Sequence, residues 1–295
     1  MSGLTLLYRG QLASCNFDCV YCPFAKQRDS IAVQRADRRS VERFVSWCAS
    51  AAYAPLSVFF TPWGEAMVRG WYRDAVVGLS HLAHVRRVAV QTNLSVAATW
   101  LDHAVPDRVG VWATWHPAQM PMERFVRRAR RVHASGAHLS VGIVGLPEHA
   151  SAAARLRDAL EGVYVWVNAV KRDPQAMAHD WGSVDSLYGW NTQAWPSLGR
   201  ACRTGEEVVA VDGAGDVRRC HFVPEVIANL YDGSLGRALV ARACPNATCG
   251  CHIGYVHLKE LGLDSVFGEG ILERIPARHG SPNRTPTSPG PPPGG

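Results

Sequence analysis

Six short, largely apolar runs recur through the first 170 residues: residues 4–8, 56–60, 85–90, 109–114, 139–144 and 163–167. None keeps the strict apolar–polar alternation of a half-exposed sheet. Strands that are apolar throughout are buried on both faces, and helical crossovers between them allow a parallel sheet. The intervening segments carry the helical period. Val41, Phe44, Val45 and Cys48 stand at i, i+3, i+4 and i+7, which makes Cys48 a core residue. Residues 71–83 and 97–104 read as further helices. An arginine-rich helix keeps Met122, Phe125, Val126 and Ala129 on one side and stops at Gly136, and an alanine-rich one runs from Pro147 to Leu160. Residues 26–39 are polar and read as a connection. The expected fold is therefore α/β, with ligands collecting outside the carboxyl ends of the strands. Polar clusters fall at those ends: Thr61-Pro62-Trp63-Gly64-Glu65, Gln91-Thr92-Asn93, Thr114-Trp115-His116 and Asn168.

Three cysteines, Cys15, Cys19 and Cys22, follow the first run at Cys-x3-Cys-x2-Cys spacing. Cubane iron–sulfur clusters that only carry electrons take four cysteines, so three on one loop leave an iron open to an outside ligand. Two plainer readings are a zinc site with a distant fourth ligand and a disulfide with one thiol left over. With Tyr21 before the last cysteine, the loop resembles the signature of the radical S-adenosylmethionine (radical SAM) superfamily. That resemblance implies a [4Fe-4S] cluster on Cys15, Cys19 and Cys22. It also implies S-adenosylmethionine bound at the open iron and cleaved reductively to a 5′-deoxyadenosyl radical, with a flavodoxin- or ferredoxin-type electron donor. Six strand-and-helix units suit the open, partial (β/α)6 barrel that the family implies.

The resemblance extends to strand ends. Gly64 and Glu65 match the end of the family's Gly-Gly-Glu-Pro motif, implied to hold the ammonium of SAM, whereas residues 61–63 depart from it. Ile143-Val144-Gly145-Leu146-Pro147-Glu148 resembles the motif packed on the adenine, which implies roles for Ile143 and Gly145; its first glycine is displaced, because Val141 precedes Gly142. Thr92, Asn93, Thr114 and His116 stand where the family contacts ribose and carboxylate. Each could equally be a helix cap or a satisfied core polar group.

Toward the C-terminus, Val208–Val211 and Val217–Cys220 flank a turn, with Cys202 before the hairpin and Cys220 ending it; Cys244, Cys249 and Cys251 follow. Antiparallel pairing brings the first two sulfurs near each other. This resembles the SPASM and twitch extensions of radical SAM enzymes. Five cysteines are too few for a full SPASM domain, so one auxiliary [4Fe-4S] cluster is implied, on Cys202, Cys220 and two of Cys244, Cys249 and Cys251. A tetrahedral zinc site is the alternative. His252 and His257 are expected to be ordinary polar residues.

The expected organisation is a barrel over residues 1–170, a linking or covering segment over 171–200, a twitch-like unit over 201–275 and a disordered Pro/Gly-rich tail over 276–295. At 295 residues and 47% hydrophobic composition, one large domain with a small appendage is within reach. No apolar run approaches bilayer length and residues 1–10 lack signal-peptide character, so no membrane and a cytoplasmic location are expected. Nine cysteines then suit metal binding or a reduced core better than disulfides. A net charge of +6 permits an anionic substrate, but the arginines of residues 123–132 form a solvated helix face rather than a nucleic-acid patch. A peptide is the preferred substrate class, with a metabolite or RNA base left open. The rival from another class is a non-catalytic iron–sulfur or zinc protein acting as carrier or scaffold. Oligomeric state is not written in the sequence.

Overall fold

The computed structural model describes residues 3–24 and 27–279. Six parallel strands lie side by side in chain order: β1 (Leu4–Arg9), β2 (Leu56–Phe60), β3 (Val85–Thr92), β4 (Val109–Trp115), β5 (His138–Val144) and β6 (Tyr164–Asn168). Parallel strands that neighbour one another in chain order favour right-handed crossovers, which place the crossover helices on the same face. The helices are α1 (Ile31–Ser50), α2 (Gly70–Ser80), α3 (Met122–Ala134) and α4 (Ala150–Ala159).

The two faces of the sheet bury different partners. On one, Leu6, Tyr8, Val58 and Phe60 share a core with Phe44 of α1 and Leu79 of α2. On the other, Leu7, Phe59, Ala89, Trp112 and Trp166 pack against Ile253, Tyr255, Leu258, Phe267 and Leu272. Alternate residues of each strand point to opposite faces, so the non-alternating pattern is met by helices on one side and the last described segment on the other.

Helix α1 begins ten residues before its apolar stripe at Val41. Ser30 caps it, accepting a hydrogen bond from the Val33 amide, and the first buried residue is Asp37. The stretch read as a connection is thus half helix, and its inward-facing side is polar because a carboxylate is needed there.

The C-terminal cysteines attach to the same sheet. A short β7 (Trp195–Pro196) comes first, then β8 (Val208–Asp212), β9 (Asp216–Arg218), β10 (Val226–Asn229) and β11 (Thr248–Cys249). The expected hairpin forms from β8 and β9, but β8 also pairs in parallel with β1, Thr5 opposite Val208, so one sheet runs across the boundary drawn at residue 200. Its order is β10-β9-β8-β1-β2-β3-β4-β5-β6, while β11 and β7 form a separate pair.

Glu273 and Arg274, both fully buried, lie under the sheet. Glu273 stands 3.4 Å from Arg87 and packs over Gly110 near the start of β4. Arg274 lies 4.4 Å over the Trp166 ring and 3.8 Å from Asp185. Burial pushes the Glu273 carboxyl up to about 7, against the pull of Arg87. The final stretch departs late from the body: His279 meets the Tyr164 ring at 5.2 Å, and the remainder of the expected tail, residues 280–295, lies outside the described residues.

Candidate functional site

The loop after β1 turns on carboxylates. Asp37 accepts from the Gln11 and Leu12 amides, the Trp71 indole and the Tyr72 hydroxyl, and Asp29 accepts from the Ala13 and Ser14 amides and the Ser14 hydroxyl. Arg69 ties the Ser14 hydroxyl to Gln34. These bonds satisfy the donors of an irregular segment that has no ladder of its own. They also fix the backbone that enters Cys15.

The loop after β2 is laid against this segment. The Gly64 amide donates to Leu12 O and the Glu65 amide to Ser14 O, and a Cβ on Gly64 would stand 1.9 Å from Ser14 O. Only glycine permits that approach. Glu65 is buried, and its carboxylate accepts from Thr92 Oγ1 (2.6 Å), the Asn93 amide (2.6 Å) and the Met67 amide (3.1 Å). Burial pushes its pKa up to about 7, outweighing those three bonds. Glu65 therefore clasps the end of β2 to the end of β3. Most of its acceptor capacity is already used by the protein.

From the other side, Gln119 accepts from the Asp18 amide, and Asn93 donates to Asn16 Oδ1 and approaches Cys15 Sγ at 3.7 Å. Tyr21 and His116 are hydrogen-bonded at 2.9 Å between the hydroxyl and Nδ1. Burial, with His149 nearby, lowers the His116 pKa to about 4, so the imidazole is neutral near pH 7.

The result is a cavity of about 210 Å³ lined by Cys15, Cys19 and Cys22 together with Gly64, Glu65, Thr92, Asn93, Thr114 and His116. Tyr21 supports it through His116. Ile143 and Gly145 are not part of its lining. Ile143 is buried in the helix-side core, and Gly145 is held by the Asn168 carbonyl, where a Cβ would meet Val167 at 2.8 Å. Phe17, Phe24, Pro62, Trp63 and Gln91 complete the wall; the last three belong to the strand-end clusters without a role of their own in the sequence reading, and Phe17 and Phe24 carry none. Asp29 and Asp37 were missed as well: a lone acid in a polar stretch carries no periodic signal.

A second cavity, of about 170 Å³, is lined by all five C-terminal cysteines, Cys202, Cys220, Cys244, Cys249 and Cys251. All five are thiols, the first three buried, Cys249 half-buried and Cys251 exposed. Cys202 is bridged to Leu258 and accepts from Thr204 Oγ1 at 3.1 Å. Pairing of β11 with β7 sets Cys249 opposite Trp195, and Gly254 leaves room for the Cys249 sulfur, which a Cβ would meet at 2.7 Å. Burial and the four neighbouring cysteines push the Cys249 thiol up to about 12. Deprotonated together, these thiols would repel one another, and a bound cation would compensate their charge. Among the described residues no group of three or more His, Cys, Asp or Glu side chains is arranged to hold a metal ion. Three thiols line the first cavity and five the second, donor sets of the kind that iron–sulfur clusters use.

No protein-family profile matches the chain, and no curated protein matches its sequence. Solved structures do resemble it in fold. Native anSMEcpe with bound AdoMet is 12% identical, with 80% of each chain covered and a TM-score of 0.52. The same protein with bound AdoMet and the Cp18Cys peptide is 13% identical over 80% of each chain, with a TM-score of 0.51. Both hold AdoMet, and the large parallel sheet with its covering helices is the fold they share with this chain. Among the described residues no helix is long and apolar enough to cross a membrane.

Proposed function

We propose that the chain is a radical SAM enzyme with a partial (β/α)6 barrel, a SAM-binding [4Fe-4S] cluster on Cys15, Cys19 and Cys22, and one auxiliary cluster among the five C-terminal cysteines. One observation carries this reading. The three cysteines of the Cys-x3-Cys-x2-Cys loop share a cavity with Gly64, Glu65, Thr92, Asn93, Thr114 and His116, residues far apart in the chain, at the carboxyl ends of parallel strands. The fold held in common with AdoMet-bound neighbours supports it. Bound there, the cluster and SAM supply a 5′-deoxyadenosyl radical that abstracts hydrogen from a substrate. The chain supplies position: Gly64 and the clasp of Glu65 set the cavity floor, Asn93 orients the Cys15 sulfur, and Tyr21 with neutral His116 closes one side without adding charge.

Four thiolates suit tetrahedral zinc as well, so zinc is the alternative occupant of the second cavity. A peptide is the preferred substrate, supported by the peptide held in the anSMEcpe structure. A flavodoxin- or ferredoxin-type donor is the expected reductant. Anaerobic reconstitution with iron and sulfide, followed by reduction with SAM present, tests the assignment. Release of 5′-deoxyadenosine is expected, and a cluster-loaded protein that leaves SAM intact would be a carrier or scaffold.

A further inference from the structure

We propose that Arg128 is a positioning residue for the first cavity. From the outer helix α3 it holds Leu94 in a left-handed turn, and that turn aims the Asn93 amide at the cysteine loop. Its effect on SAM rests on the radical SAM reading, whereas its hold on the turn does not.

The chain leaves β3 at Thr92 and turns over the next three residues. Among the described residues Leu94 and Arg274 are the non-glycine residues with positive φ, 51° and 59°. A bulky L side chain is crowded by the backbone there, so the conformation persists only where its surroundings impose it. Two bonds shape the turn from inside: the Leu94 amide donates to Thr92 Oγ1 at 3.1 Å and the Ser95 amide to Asn93 Oδ1 at 2.8 Å. A backbone amide can only donate, so the side-chain oxygen of Asn93 is fixed toward Ser95 and its NH2 group is left for the cysteine loop. There it donates to Asn16 Oδ1 at 3.1 Å and stands 3.7 Å from Cys15 Sγ, and Ser95 Oγ donates to the same Asn16 oxygen at 3.3 Å. An extended residue at 94 would carry Ser95 away from Asn93 and release both side chains from Asn16.

The outside of the turn is held by one group. Leu94 O accepts from Arg128 Nη1 at 2.7 Å and has no other donor among the described residues. The Leu94 side chain is buried in the helix-side core, so the residue is fixed at one end by packing and at its carbonyl by a charge-assisted bond. Helix α3 carries Arg124, Arg127, Arg128, Arg130 and Arg131; Arg128 is half-buried and the other four are exposed. Arg130 donates to Ala159 O and Arg131 pairs with Asp102, so neither bonds the turn. Through Arg128 a helix, which is rigid, sets the aim of a loop, which by itself is not.

The test uses the reconstituted full chain and follows hydrogen exchange by mass spectrometry in peptides covering residues 92–96, residues 15–22 and, as a reference for folding, α1. Arg128→Met should speed exchange in the turn and in the cysteine loop by about tenfold, the scale of a lost charge-assisted bond, with α1 unchanged. Arg128→Lys should restore part of the protection, and Arg131→Met should leave both peptides as they are. In a Leu94→Gly background, Arg128→Met should add less than about twofold, because glycine occupies the left-handed region without support. Unchanged exchange in either peptide of Arg128→Met, an equal change in Arg131→Met, a full effect in the glycine background, or loosening of α1 would each overturn the proposal. Where the cluster-loaded parent binds SAM in equilibrium dialysis, Arg128→Met should weaken that binding by about tenfold, and equal affinity would overturn the proposal as well. Deoxyadenosine release by the wild type is measured alongside. Faster exchange in Arg128→Met without deoxyadenosine from the wild type supports the hold on the turn while removing the radical SAM reading, and deoxyadenosine with unchanged exchange does the reverse.

Discussion

The two cysteine-lined cavities are built on opposite plans. The first draws its three thiols from one loop, and bonds from neighbouring side chains hold that loop in place: Asp29, Asp37 and Arg69 below, Asn93 and Gln119 above. The second gathers thiols from several separate segments, and the pairings that assemble it are long-range: β8 on β1, β11 on β7 and Cys202 on Leu258. Local ligands can meet a metal centre before the domain is complete. Distant ligands require the loop-closure cost to be met first, by the core and the metal together. The first site is thus a loop property and the second a property of the whole fold.

Four experiments press on this contrast. Changing Cys15, Cys19 and Cys22 together to Ala should have the largest effect: no deoxyadenosine, about one cluster's iron lost, and little change in the unfolding transition, since the loop's hydrogen bonds remain. Iron analysis and a SAM-cleavage assay check it, and retained cleavage would break the assignment. Cys202 and Cys220 changed together to Ala should also lose about one cluster's iron, but here thermal stability should fall, because metal ligation is coupled to folding. Equal melting temperatures in variant and parent would mean that the second site is as independent as the first.

Gly64→Ala is a sharper probe of the loop. The added methyl cannot coexist with Ser14 O, so the loop after β2 must withdraw at a cost of about 1–3 kcal/mol. Iron should be lost from the first site and kept in the second, as electron paramagnetic resonance of the two clusters would report. The smallest effect concerns Glu273, under the sheet beside Arg87. Its unfolded carboxyl loses a proton near 4.5, whereas the folded one keeps it until about 7, so the folded state is favoured at low pH and that advantage disappears as pH rises through this window. Urea unfolding of metal-free protein should show stability falling from pH 5 to 7 and levelling above. Glu273→Gln should reduce the slope without removing it, since Glu65 carries a shift of the same sign.

Much of this architecture was legible from residue patterns. All six leading strands lie where the apolar runs placed them, and the cysteines and strand-end residues of the first site share one cavity because strand direction alone brings carboxyl ends together. What escaped was polar or long-range. The start of α1 was hidden because its buried anchor is Asp37, and Glu273 and Arg274 gave no apolar signal although both are fully enclosed. The pairing of Thr5 with Val208 cannot be read from either strand, since a strand's sequence shows how deeply it is buried and not which neighbour it adopts. Ile143 shows a further limit. A residue at a strand end faces the ligand side or the helix side according to the pleat, and this one faces the helices.

The filling of the sheet's second face by residues 253–272 has a consequence for biogenesis. Leu7, Phe59, Trp112 and Trp166 leave the ribosome well before the segment that covers them, so a growing chain carries an apolar trough along the sheet. Such a surface attracts other chains. Nascent protein should consequently depend on a chaperone until residues 253–272 have emerged, and slow synthesis or termination before that segment should yield aggregates rather than a soluble fragment.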